Sequence, residues 1–265
     1  MLLCGSSLPI SSMVANFKSL IQALHNGLIV SCQAPADSPL HNPLVIAAMA
    51  QASVNQGAVG VRIDSPEHVK AVRERLPTTP IIGLWKQQLP GSEVYITPQF
   101  HHAAAISEAG ADIIAIDATL RERPGGETVE TLIARIHDEL GKLVMADVDT
   151  IESAICASLR DAARTQQRFA IASQQAGADL VGTTLYGYTA QTKHLSPPGF
   201  ELLSQMAEQL DIPVICEGGI ASPQMAQNAI QLGAYAVVVG TAITGIDLQV
   251  KAYQKALSHP SESTI

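Results

Sequence analysis

The chain has 265 residues, of which 47% are hydrophobic and 15% are charged. This composition supplies a large apolar core and argues against global disorder, and the length suits one barrel-sized domain over residues 1–265. The net charge of −8 at pH 7 argues against a nucleic-acid partner, which would need a basic surface. No apolar run reaches the ~20 residues of a membrane helix, so no membrane partner is expected.

The four cysteines lie far apart and form no CxxC pair. The sequence therefore predicts neither a zinc site nor a redox pair, and a reducing cytoplasm is the simpler setting. The opening MLLCGSSLPISSM has no positively charged start and no long apolar region, which makes a secretory signal unexpected.

The first predicted element is a short helix at residues 14–26, VANFKSLIQALHN, where apolar residues recur at helical spacing. Residues 1–12 would be a loose, flexible extension if translation starts at Met13. At the other end, the polar tail 258–265 is expected to be flexible.

Eight short apolar, β-branched runs follow, and each predicts a buried parallel strand. They are GLIVSCQ (27–33), AVGVRI (58–63), PIIGLWK (80–86), DIIAIDA (112–118), KLVMADV (142–148), DLVGTT (179–184), PVICEGG (213–219) and AYAVVVGT (234–241).

Helix-patterned segments lie between these runs, and several begin with proline and end with glycine, as helix ends prefer. Eight strands alternating with helices predict an α/β fold, a (β/α)8 TIM barrel with a short N-terminal helix. The competing fold is a doubly wound open sheet. It is disfavoured because eight strands are present and no GxGxxG follows the first of them.

In a barrel, the carboxyl ends of the strands and the loops after them build the site. The polar residues at these ends are Gln33, Arg62, Lys86, Asp117, Asp147, Thr183, Thr184 and Glu217. For each one, the alternative is a helix cap or a group that faces solvent.

The turns after the last two strands, GGIASP and GTAITG, are rich in glycine. Such turns bring backbone N–H groups close to an anion, so they predict a phosphate site. The alternative is that the glycines only permit tight turns. The expected ligand is a phosphorylated small molecule, either a sugar or the phosphate tail of a flavin.

Lys86 and Glu217 would project into one pocket from the third and seventh strands. A lysine and a carboxylate placed in this way can move a proton at a carbon next to a carbonyl, with Arg62 as a nearby cation. Two alternatives stay open at this point: a buried Lys–Glu ion pair, and a lysine Schiff base as in aldolases.

Taken in order, these motifs resemble a known family. GLIVSCQ, IIGLWK, YITP, IIAIDATLRERP, MADV, GTTLYGYT, EGGI and VVVGTAIT together are similar to the N-acetylmannosamine-6-phosphate 2-epimerases of bacterial sialic-acid catabolism. The resemblance implies an enzyme that interconverts N-acetylmannosamine 6-phosphate and N-acetylglucosamine 6-phosphate by removing and returning the C2 proton. It implies no metal and no other cofactor.

The resemblance also implies roles for individual residues. Lys86 would be the catalytic acid/base and Glu217 its partner carboxylate. The sugar would be bound by Gln33, Arg62, Asp117, Thr184 and Tyr188, and the 6-phosphate by Gly218, Gly219, Gly240 and Thr241.

The chain departs from the family pattern at three places. Gly245 stands where many members have an arginine, and EGG replaces a common EGR, so two cations are missing and Arg121 or Arg123 are candidate replacements. The stretch 152–177 is longer than the usual link between strands 5 and 6, and all of it is compatible with a helix.

His101 and His102 are expected at the solvated start of a helix rather than in a metal site. Other enzymes on the same scaffold and a non-catalytic sugar-phosphate sensor are the remaining functional alternatives. A homodimer is a candidate assembly that the sequence does not decide.

Overall fold

The computed structural model describes residues 10–158 and 177–258 of the chain. Its eight strands are all parallel and pair in chain order, with the last strand closing onto the first. The predicted (β/α)8 barrel is therefore confirmed. The strands are Leu28–Cys32 (β1), Gly60–Asp64 (β2), Ile81–Leu84 (β3), Ile113–Asp117 (β4), Leu143–Asp147 (β5), Leu180–Gly182 (β6), Val214–Glu217 (β7) and Ala236–Val239 (β8).

Helices separate the strands and surround the barrel. They are Ile10–Leu24 (α1), Pro43–Asn55 (α2), Pro66–Arg75 (α3), Phe100–Glu108 (α4), Val129–Arg135 (α5) with a π-helical continuation over Ile136–Leu140, Ile151–Ser158 (α6), Phe200–Gln209 (α7), Pro223–Gln231 (α8), Thr241–Thr244 (α9) and Ile246–Ser258 (α10). A short 3₁₀ turn also occurs at Pro124–Gly126.

The predicted N-terminal helix is present, but it begins at Ile10 rather than at residue 14. Leu24 is fully buried, and Phe17, Leu20 and Ile21 pack beside it against the apolar interior of the barrel. The helix therefore lies across the amino-terminal end of the strands and closes that end.

Two apolar layers hold the barrel together. Side chains that point inward fill the interior of the barrel, among them Ile29, Ile82, Ile113, Met145, Leu180, Ile215 and Val238. The alternate residues of the same strands point outward and pack against the helices. This period of two follows from strand geometry.

The inward-facing positions become polar at the carboxyl ends of the strands. Arg62 comes two residues after Gly60 on β2, and Glu217 ends β7. The register places Asp117 beside Asp147, so these residues lie at similar heights. The polar ends of the strands thus meet above the apolar interior.

Some predicted features lie outside the described residues. Of the long link 152–177, the structure describes α6 and residue 177 but not 159–176. Residues 1–9 of the predicted extension and 259–265 of the predicted tail are likewise outside the described part. Within that part, no helix is long and apolar enough to cross a membrane.

Candidate active site

A cavity of about 950 Å³ opens at the carboxyl ends of the strands. Its wall contains residues from strands on both sides of the barrel, together with the loops that follow β7 and β8. The lining residues used below are Gln33, Arg62, Asp64, Lys86, Tyr95, Thr184, Tyr188, Glu217, Gly218, Gly219, Gly240 and Thr241.

Arg62 forms the floor of this cavity, and its side chain is almost completely buried. Its Nη2 lies 2.6 Å from Asp147 Oδ2, and its Nη1 donates to Asp147 Oδ1 at 3.3 Å, so the pair is bidentate. Arg62 Nε lies 3.1 Å from Glu217 Oε1, but the N–H bond does not point at that oxygen. The Arg62 guanidinium therefore lies against two carboxylates and makes well-aligned hydrogen bonds only to Asp147.

Burial by itself lowers the pKa of the Arg62 guanidinium, but the carboxylates of Asp147 and Glu217 more than offset this, and the pKa is raised. Arg62 therefore stays charged. Since a buried charge without a partner is costly, the arginine and its carboxylates have to be retained together.

The carboxyl of Glu217 has a pKa well above the usual value for glutamate. Burial raises the pKa of its carboxyl to about 7, and the nearby Asp147 carboxylate acts in the same direction, against the opposing effect of Arg62. A carboxyl that titrates near neutral pH is suited to exchanging protons with a substrate.

Thr184 connects the two carboxylates. Its hydroxyl lies 2.6 Å from Asp147 Oδ1 and 3.2 Å from Glu217 Oε2. The backbone of Glu217 is fixed separately, because its N–H and C=O both bond to the hydroxyl of Thr183, at 3.0 and 2.8 Å. These bonds hold Glu217 in position while leaving its carboxyl 12% exposed to the cavity.

Lys86 lies just beyond β3, and its side chain is 45% exposed. Its Nζ donates to Gln33 Oε1 at 2.5 Å and is 3.9 Å from Asp64 Oδ2. The Lys86 backbone N–H also donates to Asp64 Oδ1 at 3.0 Å. The amine is thus held at the cavity wall with access to a ligand.

Glycines form the part of the mouth that follows β7 and β8. Gly218 and Gly219 have φ values of 98° and 73°, a conformation that favours glycine. Among the described residues, the N–H groups of these two glycines have no hydrogen-bond acceptor. Gly240 and Thr241 follow β8 at the same rim.

Comparison with known proteins decides the family. A family model described as "Putative N-acetylmannosamine-6-phosphate epimerase" matches residues 46–259. The chain belongs to this epimerase family. The resemblance drawn from the strand-end motifs is therefore confirmed, and with it the assignment of the chain as an enzyme.

Named relatives support the same family. A 2-epimerase relative from Synechococcus elongatus is 60% identical over 239 residues, which cover 90% of this chain and 96% of the relative. One from Thermosynechococcus vestitus is 56% identical with the same coverage. The solved N-acetylmannosamine-6-phosphate 2-epimerase from Clostridium perfringens is 36% identical, with a TM-score of 0.78 over 89% of this chain and 95% of that one.

In the present chain, most of the residues predicted from the sequence come together in the cavity. Lys86, Glu217, Gln33, Arg62 and Thr184 line one continuous wall, and the four predicted phosphate-binding residues line its rim. Tyr188 also borders the cavity, with 56% of its surface exposed.

Asp117 is placed differently from the other predicted residues. Its carboxylate is fully buried and accepts hydrogen bonds from Thr119 and from Arg121 Nη2, the latter at 2.7 Å, and it is not part of the cavity wall. Arg123 donates to the backbone oxygens of Asp117, Thr97 and Pro98. Neither arginine lines the cavity.

His102 departs from its prediction. It was expected at a solvated helix start, but it is only 4% exposed and packs edge-on against Trp85 at 5.3 Å. Burial lowers its pKa to about 4, with a further contribution from His101. In the described part of the chain, no three His, Cys, Asp or Glu side chains are placed to share a metal ion.

Sequence reasoning gave no role to Asp147 or Tyr95. Asp147 was recognised as a polar strand end, and its pairing with Arg62 across the barrel is the feature that sequence could not supply. Tyr95 lies in the loop before α4, within the YITP motif, and no periodicity pointed it towards the cavity.

Proposed function

We propose that this chain interconverts N-acetylmannosamine 6-phosphate and N-acetylglucosamine 6-phosphate, with Lys86 as the acid/base at C2 and Glu217 as its partner carboxylate. The observation that carries this proposal is the presence of both side chains in one cavity over the buried Arg62–Asp147 pair. Family membership supplies the substrate class.

The chemistry begins with the ring-opened sugar, because only the free aldehyde makes the C2 proton acidic. The Lys86 amine takes that proton, and the electrons of the C–H bond move into a C1–C2 double bond as the carbonyl oxygen becomes an enolate. The planar enolate then turns its other face to the protonated Lys86, and return of the proton to that face inverts C2. Arg62 keeps positive charge under the site throughout this sequence.

Glu217 contributes through its unusual titration. A carboxyl that is ionised in part near neutral pH can accept a proton from a sugar hydroxyl or from the lysine and then return it. The orientation imposed by Thr183 and Thr184 supports this role, because the carboxyl is fixed by the protein before any ligand arrives.

The other residues predicted from the sequence take supporting roles in the proposal. Gln33, Arg62, Thr184 and Tyr188 contact the sugar from the cavity wall. Asp117 lies outside this wall, where its carboxylate accepts hydrogen bonds from Thr119 and Arg121. The backbone N–H groups of the two glycine-rich turns, Gly218–Gly219 and Gly240–Thr241, bind the 6-phosphate.

We further propose a homodimer and a cytoplasmic setting. The dimer is supported by the apolar surface of α10, whose side chains Ile246, Val250, Tyr253 and Leu257 are each more than half exposed. The setting is supported by Cys32, Cys156 and Cys216, which are free thiols.

The direct test is proton NMR in D₂O with N-acetylmannosamine 6-phosphate. We expect the gluco epimer to appear with deuterium at C2, and we expect this to be abolished in Lys86→Ala. The matched control is Lys70→Ala, since Lys70 is an exposed lysine on α3 outside the cavity.

Other results would separate the alternatives. Turnover without deuterium still means epimerisation, with a transferred proton that is shielded from solvent. No conversion by a folded wild-type protein would overturn the proposal. Covalent capture of substrate on Lys86 by borohydride would instead favour a Schiff-base aldolase.

A further inference from the structure

Tyr95 is fixed beside the proposed acid/base by a short antiparallel contact. Lys86 pairs with Ile96 in this contact. The Gln87 N–H donates to the Tyr95 carbonyl oxygen at 2.8 Å, and the Thr97 N–H donates to the Trp85 oxygen at 2.9 Å. The segment that carries Tyr95 is therefore bonded directly to the segment that carries Lys86.

The Tyr95 ring is half-buried and packs against the apolar interior of the barrel, while the residue lines the cavity. Packing of this kind fixes the ring, so its hydroxyl points in a defined direction. A tyrosine in a cavity wall commonly uses its apolar ring for packing and its hydroxyl for a specific polar contact.

Among the residues that the structure describes, the Tyr95 hydroxyl has no hydrogen-bond partner. Three other side-chain donors on the same wall are bonded to neighbouring side chains: Arg62 to Asp147, Thr184 to Asp147 and Lys86 to Gln33. Tyr95 is thus a donor that the protein has placed in the cavity without using it.

The hydroxyl also lies in a charged environment that keeps it protonated. Burial raises the pKa of Tyr95 to about 12, and the carboxylates of Asp147 and Asp117 act in the same direction. The hydroxyl therefore remains a donor at neutral pH.

We propose that Tyr95 is a further catalytic residue, whose hydroxyl donates a hydrogen bond to the carbonyl oxygen of the open-chain substrate. As Lys86 removes the C2 proton, that oxygen gains negative charge and the hydrogen bond strengthens. The phenol keeps its proton, so the atoms and charges of the step are those of the Lys86 transfer alone. This inference rests on the proposed epimerase function.

Tyr188 is the other tyrosine on the wall, and it is less suited to the role. It is 56% exposed at the rim, where water competes for its hydroxyl. A donor stabilises a developing oxyanion most when it is held in a site with little water. The half-buried Tyr95 meets this condition better.

The test is Tyr95→Phe, which removes only the hydroxyl and keeps the packing of the ring. We expect kcat to fall on the order of 10²-fold, as for the loss of one oxyanion donor, with KM within about threefold of the wild-type value. Exchange of the C2 proton with D₂O should fall by the same factor as kcat, because both pass through the enolate.

A matched control is Tyr235→Phe. The Tyr235 hydroxyl donates to the Ile21 backbone oxygen at 3.2 Å, at the amino-terminal end of the barrel and away from the cavity. This variant should keep the wild-type kcat. Thermal unfolding of both variants shows whether either change has altered the fold.

The outcomes are distinct. An unchanged kcat in Tyr95→Phe, or a loss confined to KM, would overturn the role as oxyanion donor while leaving the epimerase proposal in place. A wild-type protein with no epimerase activity would instead remove the proposed function itself. A larger primary isotope effect with C2-deuterated substrate in Tyr95→Phe supports the proposal, since proton abstraction then limits the rate more strongly.

Discussion

Arg62 shows how a single buried side chain organises the candidate site. It is among the largest completely buried side chains of the described chain, and it carries a charge. Two carboxylates, from β5 and β7, compensate that charge, so the charges at the cavity floor are paired before substrate binds. Such preorganisation is how sites stabilise charge that develops during a reaction.

The Arg62–Asp147 pair leads to a stability prediction. Asp147→Ala leaves the guanidinium with one carboxylate, the poorly aligned Glu217, so the free energy of unfolding should fall by about 3–5 kcal/mol. Chemical denaturation measures this directly. Asp211→Ala is the control, because Asp211 is exposed and its removal should change stability by less than about 0.5 kcal/mol. Equal stabilities of the two variants would contradict the prediction.

The raised pKa of Glu217 leads to a prediction about activity. Burial raises that pKa to about 7, and the proposed role needs the ionised carboxylate, so kcat/KM should decrease as pH falls through about 7. A pH series of initial rates measures this limb. The residual activity of Glu217→Gln should lack it, whereas a limb that persists in the variant would assign the titration to another group.

The same shift has a consequence for stability. Because the folded pKa is raised from 4.5 to about 7, the protonated carboxyl favours folding below about pH 4.5, and this contribution is lost as pH rises through 7. Glutamine does not titrate, so the free energy of unfolding of Glu217→Gln, relative to wild type, should rise by roughly 3 kcal/mol as the pH goes from 4.5 to about 7. Denaturation of both proteins at several pH values gives the difference, and a constant difference would contradict the shift.

At the scale of elements, the turn after β7 combines a fixed backbone shape with close packing. Gly219 has a φ of 73°, and a Cβ at this position would lie 2.6 Å from Pro197 Cβ. The turn therefore depends on glycine for two independent reasons. Its shape determines where the free N–H groups of the rim point.

Gly219→Ala should therefore weaken binding of the phosphorylated end of the substrate. The turn has to shift to accommodate the methyl group, and we expect KM to rise on the order of tenfold, which corresponds to about 1.4 kcal/mol. Gly91→Ala is the control variant. Gly91 also has a positive φ, at 76°, but no atom lies within 4 Å of a Cβ added there. Steady-state kinetics that leave KM equal in both variants would argue against a phosphate role for the turn.

At the scale of the whole molecule, α10 is the helix that the rest of the described chain leaves uncovered. None of its residues is buried, although Ile246, Val250, Tyr253 and Leu257 fall on one face at spacings of four, three and four. Contiguous apolar surface of this kind marks an interaction site in many proteins. A second copy of the chain is the occupant that we propose.

The dimer proposal gives a prediction about assembly. Tyr253→Glu places a charge in the apolar face, so analytical ultracentrifugation should show a shift from dimer towards monomer. The exposed position, at 72%, means that the fold of one chain should keep its stability. Lys251→Glu, which changes charge on the same helix outside that face, is the control, and a monomeric wild-type protein would contradict the proposal.

The elements of the barrel could be predicted from the sequence because their signals are local. Buried parallel strands appear as short apolar runs, and each of the eight predicted runs overlaps one observed strand, although β2 ends at Asp64, just past its run. The start of α1 at Ile10 was not predicted, because the apolar spacing that indicated this helix was recognised only from Val14 onwards. Boundaries depend on a few weak interactions and are less well determined than the elements themselves.

The residues of the candidate site also fall into two groups, those that local sequence signals identified and those that they did not. Lys86, Glu217 and Gln33 could be identified because each is a polar residue at the end of an apolar strand, and a barrel brings such ends together. That Asp117 would be used by Arg121, and that Tyr95 would enter the cavity, could not be predicted, because both depend on the path of loops.

The sequence by itself determined the order of the strands, the end of the barrel that carries the site and the family to which the chain belongs. Only the tertiary structure decided that Asp147 neutralises Arg62, that Glu217 titrates near neutral pH and that the Tyr95 hydroxyl is left unpaired among the described residues. The physical reason is that strand patterns reflect neighbouring residues. Desolvation and charge pairing depend instead on residues that are distant in sequence and meet only when the barrel closes.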